Sequence, residues 1–190
     1  MTAVNLKLIT GLLIVLLAAA GIFVWSGIFN VSANEKHWDI TTRLLETVRE
    51  RSIHARSGDI EVPPLDGQDM LSRGAKNFSA MCAQCHLAPG MEETELSLGL
   101  YPAPPVFYRS EHGIHDPAAT FWTIKNGLKL TGMPAWGAFH SDQQIWELVA
   151  FLSKLKGMGE DEYSILVGEG GHSHNSADHS DDHEASHEQH

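Results

Sequence analysis

Cysteine is nearly absent from this chain of 190 residues: it holds two, Cys82 and Cys85, both inside Met81-Cys82-Ala83-Gln84-Cys85-His86. The two cysteines supply only half of the four ligands that a tetrahedral zinc site needs. Alternation of apolar and polar residues is almost missing around the pair, which argues against the strand-and-helix setting of a thioredoxin-like redox motif. A structural disulfide across two intervening residues closes a small, strained ring and leaves His86 without a reason. Positive charge is scarce as well. Against 24 Asp and Glu stand 13 Lys and Arg, a formal net charge of -11. A phosphate backbone is repelled by that balance, which argues against nucleic acid as a partner. From Gly168 onward aromatic residues, lysine and arginine vanish altogether.

What is there begins with the two thiols. Separated by two residues and followed directly by a histidine, they can bond both vinyl groups of a haem and place an imidazole on its iron, so Cys82, Cys85 and His86 read as the attachment site of one covalently held haem c. Such a haem has either a second axial ligand or an open face. Met133 sits between Gly132 and Pro134, which keep it out of any helix and suit a thioether aimed at iron better than one filling a core. Met70 and Met81 precede the cysteines, Met91 follows His86 too closely to reach the other face, and Met158 lies past the last helix. His140, or an open site, is the alternative to Met133; His112 and His115 fall in a Gly- and Pro-containing loop and suit the role less, and His37 and His54 read as surface or packing residues.

The chain divides into residues 1–33, 34–65, 66–160 and 161–190. The first part carries the uncharged run Leu8 to Phe29, long enough as a helix to cross a hydrocarbon core of about 30 Å. Lys7 ahead of it and Val31-Ser32-Ala33 behind it also allow a cleaved signal peptide, although the run exceeds the usual h-region. Gly11, Gly21 and Gly27 make no small-residue dimerisation face. In the second part Ile40, Leu44, Leu45 and Val48 recur at helical spacing from Trp38 to Ile53, an amphipathic helix that lies at the membrane surface or against the domain, or serves as a solvated connector. Val62-Pro63-Pro64 then leads into the domain as extended chain.

Within 66–160 a helix from Asp69 carries Met70, Leu71, Gly74 and Phe78 toward the cysteines, Ala118 to Asn126 reads as a short helix capped by Gly127, and Ser141 with Gln144 forms a capping box for the strongest helix of the chain, ended by Gly157. A helix with Gly74, Ala75 and Phe78 that runs straight into Met81-Cys82-Ala83-Gln84-Cys85-His86, followed later by Met133-Pro134-Ala135-Trp136, resembles the class I cytochrome c family. The resemblance implies an all-α, class I cytochrome c-like helical haem domain, here with an N-terminal transmembrane helix and a disordered C-terminal tail. It implies that the first and last helices cross at Gly74, that a proline carbonyl from Pro104 or Pro105 receives the axial histidine's free N–H, and that Met133 is the distal ligand. It also implies haem attachment on the periplasmic side. Charge alone does not orient the span, because Lys36, Arg43, Arg49 and Arg51 follow it while only Lys7 and the terminal amine precede it.

The tail 161–190 carries His172, His174, His179, His183, His187 and His190 among carboxylates, a composition that binds divalent metals as loose sites or only solubilises the chain. Together these readings describe a single-pass protein of the bacterial inner membrane with its haem domain in the periplasm, carrying electrons between redox protein partners at the membrane. It is then not an enzyme by itself. The alternatives are a haem subunit of a larger oxidoreductase complex, a haem sensor or enzyme with an open distal site, and a metal-delivery protein built on the tail. Lys125 and Lys129 lie on the approach to Met133 and either dock an acidic partner at an exposed haem edge or complement a helix end.

Overall fold

The computed structural model describes residues 3–110 and 114–168, all helix, turn and loop, with no strand among the described residues. His112 and the six tail histidines named above lie outside the described residues. In chain order the helices are α1 (Ala3–Ser26), α2 (Asp39–Ser57), α3 (Gln68–Met81), α4 (Ala83–His86), α5 (Glu95–Gly99), α6 (Pro117–Asn126), a 3-10 turn (Trp136–Ala138), α7 (Asp142–Leu155) and α8 (Glu160–Val167).

The core is the crossing of α3 and α7, and Gly74 makes it possible. A Cβ at that position would collide with the carbonyl oxygen of Glu147 and stand 2.8 Å from Cβ of Phe151, so the two backbones meet where a side chain is missing. Phe78 packs on Phe151 with ring centroids 5.3 Å apart, and Ile145, Leu148, Val149 and Leu155 complete the buried stripe of α7. That helix starts where the capping box predicts: the Ser141 hydroxyl accepts from the Gln144 N–H, and the Gln144 side chain accepts from the Ser141 N–H at 2.9 Å. The α6 helix begins one residue earlier than its apolar pattern suggests, because Pro117 fits the first turn and the Asp116 carboxylate accepts from the Ala119 N–H at 3.0 Å. Phe121 of α6 then stacks on Trp146 of α7, centroids 4.2 Å apart.

One ion pair spans the crossing. Arg73 Nε donates to Glu147 Oε1 at 2.7 Å, with the Glu147 side chain 6% and the Arg73 side chain 55% exposed. A carboxylate taken out of water loses hydration that Arg73 replaces, helped by a long bond of 3.5 Å from the Gln143 side chain, while the half-solvated guanidinium weakens the pair by screening. Arg73→Met is therefore expected to cost about 1–3 kcal/mol, and Glu147→Gln in the same chain to recover most of it. A double-mutant cycle on thermal unfolding measures this; additive losses would show that the pair contributes nothing of its own.

Two expectations are corrected. The tail does not begin at residue 161: Glu160–Val167 form α8, which packs on α3, buries Val167, and receives at the Leu166 carbonyl a bond from the Ser72 hydroxyl of 3.2 Å. And α2 reaches Ser57, four residues beyond Ile53; it lies on α6, one of the placements expected, but of the apolar stripe only Leu45 is turned inward. Leu45, Arg49 and Ile53 are half-buried there, whereas Ile40, Leu44 and Val48 are exposed. The α1 helix is exposed along its described length and is long and apolar enough to cross a membrane, a test that a signal sequence also passes.

Candidate haem-binding site

The site grows from the end of α3. The N–H of Cys82 still bonds to the Phe78 carbonyl at 2.9 Å, and those of Cys85 and His86 both turn back to the Cys82 carbonyl at 3.1 and 2.9 Å, so a single turn carries both thiols and the imidazole. The cysteines are not joined. Burial, with Cys85 beside it, pushes the Cys82 thiol up to about 12. A thioredoxin-like pair needs the opposite, a thiol lowered toward neutrality.

His86 is held from behind. Its Nδ1 lies 2.9 Å from the Pro105 carbonyl, and its ring stacks on Phe107 with centroids 4.8 Å apart. As a carbonyl only accepts, the proton is on Nδ1 and the lone pair on Nε2. Burial pushes the imidazole's pKa below its ordinary value, against the opposing pull of the Pro105 bond. With Nδ1 bound to that carbonyl and the ring kept neutral by burial, the lone pair on Nε2 stays available to a ligand role. Of the two prolines left open by the sequence, Pro105 makes the bond.

Met133 arrives on a separate loop whose shape is fixed by its backbone. The Leu128 N–H bonds to the Met133 carbonyl at 3.2 Å, the Thr131 hydroxyl donates to the Leu128 carbonyl at 2.8 Å, and the Thr131 Oγ1 in turn accepts the Met133 N–H at 3.1 Å. Gly127, at φ +66, lets α6 end there: a Cβ would stand 2.7 Å from the Ala135 nitrogen.

Cys82, Cys85, His86 and Met133 meet on one cavity of about 410 Å³, otherwise walled mostly by apolar residues of the proline segment 100–107, of the loop that carries Met133, and of α3, α6 and α7. Two thiols, an imidazole with Nε2 available and a thioether form a donor set that fits a covalently held haem, and an apolar volume of this size is within the range of cofactor pockets. Met81 also reaches the cavity, from the same corner as Cys82. His140 does not line it and instead lies edge-on to Trp136, 5.4 Å between centroids. His115 is likewise not among the lining residues. Lys125 is engaged, its Nζ 2.6 and 2.9 Å from the two Asp142 carboxylate oxygens, which leaves Lys129 as the more exposed of the two lysines. Sequence reasoning missed Arg49 and Ile53, which line the cavity from α2. Among the described residues there is no cluster of three or more His, Cys, Asp or Glu side chains fit to hold a free metal ion.

Residues 69–152 match the family described as cytochrome C oxidase, cbb3-type, subunit III. Neither a curated protein nor a solved structure gives a significant match.

Proposed function

We propose that this chain, whose residues 69–152 match a cytochrome c family and so imply haem-based electron transfer, is a membrane-anchored monohaem carrier of single electrons at the periplasmic face of the bacterial inner membrane. The observation that carries the reading is the convergence of Cys82, Cys85, His86 and Met133 on one apolar cavity, with His86 Nδ1 bound to the Pro105 carbonyl. The haem, when bound, supplies a one-electron ferric/ferrous couple.

The residues supply the rest. Cys82 and Cys85 hold the porphyrin as thioethers, and one attachment motif in the sequence means one haem. His86 through Nε2 and Met133 through Sδ would hold the iron, and a thioether ligand favours the ferrous form and raises the potential. Phe78, Ile124 and Leu152 exclude water from the cavity, which lowers the cost of rearranging solvent as charge changes. With His86 and Met133 both holding the iron, no site for a substrate would remain on it, and the chain would act as a carrier and not as an enzyme alone. The α1 helix is the anchor, and the partners are redox proteins at the same surface. Permanent membership of an oxidoreductase complex is the second reading, favoured by the family description, which names an oxidase subunit.

Membranes from cells making the full chain test this. A haem that resists extraction into acid acetone, a ferric spectrum with the weak long-wavelength sulfur-to-iron band, and retention in the membrane after an alkaline wash are the expected results. Release of the haem protein by that wash would overturn the anchor, and a high-spin ferric spectrum would overturn the ligand pair.

A further inference from the structure

The segment ahead of the matched stretch is clamped onto the domain at both ends. The His37 N–H donates to the Tyr101 hydroxyl at 2.9 Å and the two rings meet edge-on, centroids 5.0 Å apart, at the start of the proline segment that holds His86. After α2, Ser57 is buried and Ile60 and Leu65 pack on the core. Between these clamps α2 lies on α6, and Arg49 and Ile53 face the haem cavity.

The charges on the cavity wall are few. Among the described lining residues Arg49 is the one with a permanent cation, and Asp116, the one carboxylate, is occupied in capping α6. The ion pair that Arg49 makes within the chain is a long one, 3.9 Å to the adjacent Glu50. Two other basic side chains are engaged away from the cavity: Arg109 lies over Tyr108 and Lys125 is bound to Asp142. Haem c carries two propionate carboxylates on the edge away from its thioether bonds. The thiols belong to the corner of α3 and α4, Arg49 to the wall made by α2 and α6. A carboxylate entering an apolar cavity without a partner is strongly disfavoured, and a guanidinium offers two parallel N–H donors that match its two oxygens.

We propose that Arg49 binds a haem propionate, so that α2, a helix outside the cytochrome domain proper, forms one wall of the haem site and positions a charge that sets its potential. The inference rests on the haem reading given above. By holding a positive charge next to a carboxylate that would otherwise stabilise ferric iron, Arg49 raises the potential. It also couples α2 to the haem: the helix is tied down by its own clamps and by the cofactor at once.

The test uses the full chain, matured with haem and solubilised in detergent, as Arg49→Lys, Arg49→Gln and Arg49→Glu beside the unaltered protein. Spectroelectrochemical titration is expected to rank the potentials by charge at this position: unaltered and Arg49→Lys highest, Arg49→Gln lower, Arg49→Glu lowest. Hydrogen exchange of α2 amides is expected to accelerate several-fold in Arg49→Gln while α3 and α7 stay protected. Should Arg49→Glu fail to accumulate, the Lys and Gln variants decide, because a role in packing alone would move both equally. Potentials indifferent to charge at 49, in chains that hold covalent haem, would overturn the propionate assignment. Absence of covalent haem from the unaltered chain would instead overturn the haem reading itself.

Discussion

Gly74→Ala is expected to lower the unfolding free energy of the protein by about 3 kcal/mol, and Gly74→Val to leave little haem-loaded protein at all. Two effects of opposite sign meet at this position. Alanine is the better helix former by about 1 kcal/mol, and in an open helix the change would stabilise. Here the new methyl meets the Glu147 carbonyl oxygen, an atom of another helix's backbone that cannot rotate away, and Cβ of Phe151 at 2.8 Å. To admit it, α3 and α7 must separate along the line where Ala75, Phe78, Ile145 and Phe151 are buried, and the loss of that packing exceeds the gain in propensity. The same separation stretches the Arg73 to Glu147 pair. Gly99→Ala is the control: nothing lies within 4 Å of its added carbon, so the change is expected to stay within about 0.5 kcal/mol. Thermal unfolding of the solubilised full chain, followed by helicity and by the haem band together, distinguishes the two. An unfolding midpoint for Gly74→Ala equal to that of the unaltered chain would mean that the helices do not cross as closely as described.

The crossing was legible in the sequence only through resemblance, since nothing in the spacing of Gly74 says which carbonyl it will meet. Features set by neighbours in the chain were legible directly. The capping box of Ser141 and Gln144 and the helix stop at Gly127 each depend on a few adjacent residues, and each stands where the pattern puts it. Features set by distant partners were not. Pro104 and Pro105 are equivalent as letters, and which carbonyl faces His86 Nδ1 depends on how the whole proximal segment is laid down.

Two elements show how local pattern misleads. The acidic start of α8, Glu160, Asp161 and Glu162, resembles the polar tail that follows it, and its apolar residues are too few to mark a helix by themselves; α3 supplies the surface that makes Val167 worth burying. In α2 the clearest periodic signal, Ile40, Leu44 and Val48, belongs to the exposed face. The face turned to the domain is mixed, with Leu45, Arg49 and Ile53, and an arginine at a wall position is invisible to a search for apolar periodicity. That is why the cavity's basic residue emerged only from the fold.

Met133→Ala is expected to change the haem without unfolding the chain. The loop that carries Met133 is fixed by backbone and Thr131 bonds and by the conformation of Gly127, none of which uses the thioether, and the side chain is only partly buried. Truncation should therefore cost about 1–2 kcal/mol, at or below the low end for a core methionine. The consequence at the cavity is larger. Without the thioether the sulfur-to-iron band disappears, added imidazole or carbon monoxide binds where none did before, and the potential falls by on the order of 0.1–0.2 V, a modest part of the roughly 0.8 V that axial ligands can span. Met133→His is expected to restore a low-spin spectrum at a potential still below that of the unaltered chain, since an imidazole favours ferric iron relative to a thioether. Met81 makes the comparison strict, because it too reaches the cavity. It adjoins Cys82, at the corner that already supplies His86, while Met133 comes from an independent segment after α6, so Met81→Leu is expected to keep the band, the potential and the refusal of external ligands. The reverse pattern, a silent Met133 and a Met81 whose loss opens the iron, would assign the thioether ligand to α3 and remove the role given to the loop between α6 and α7.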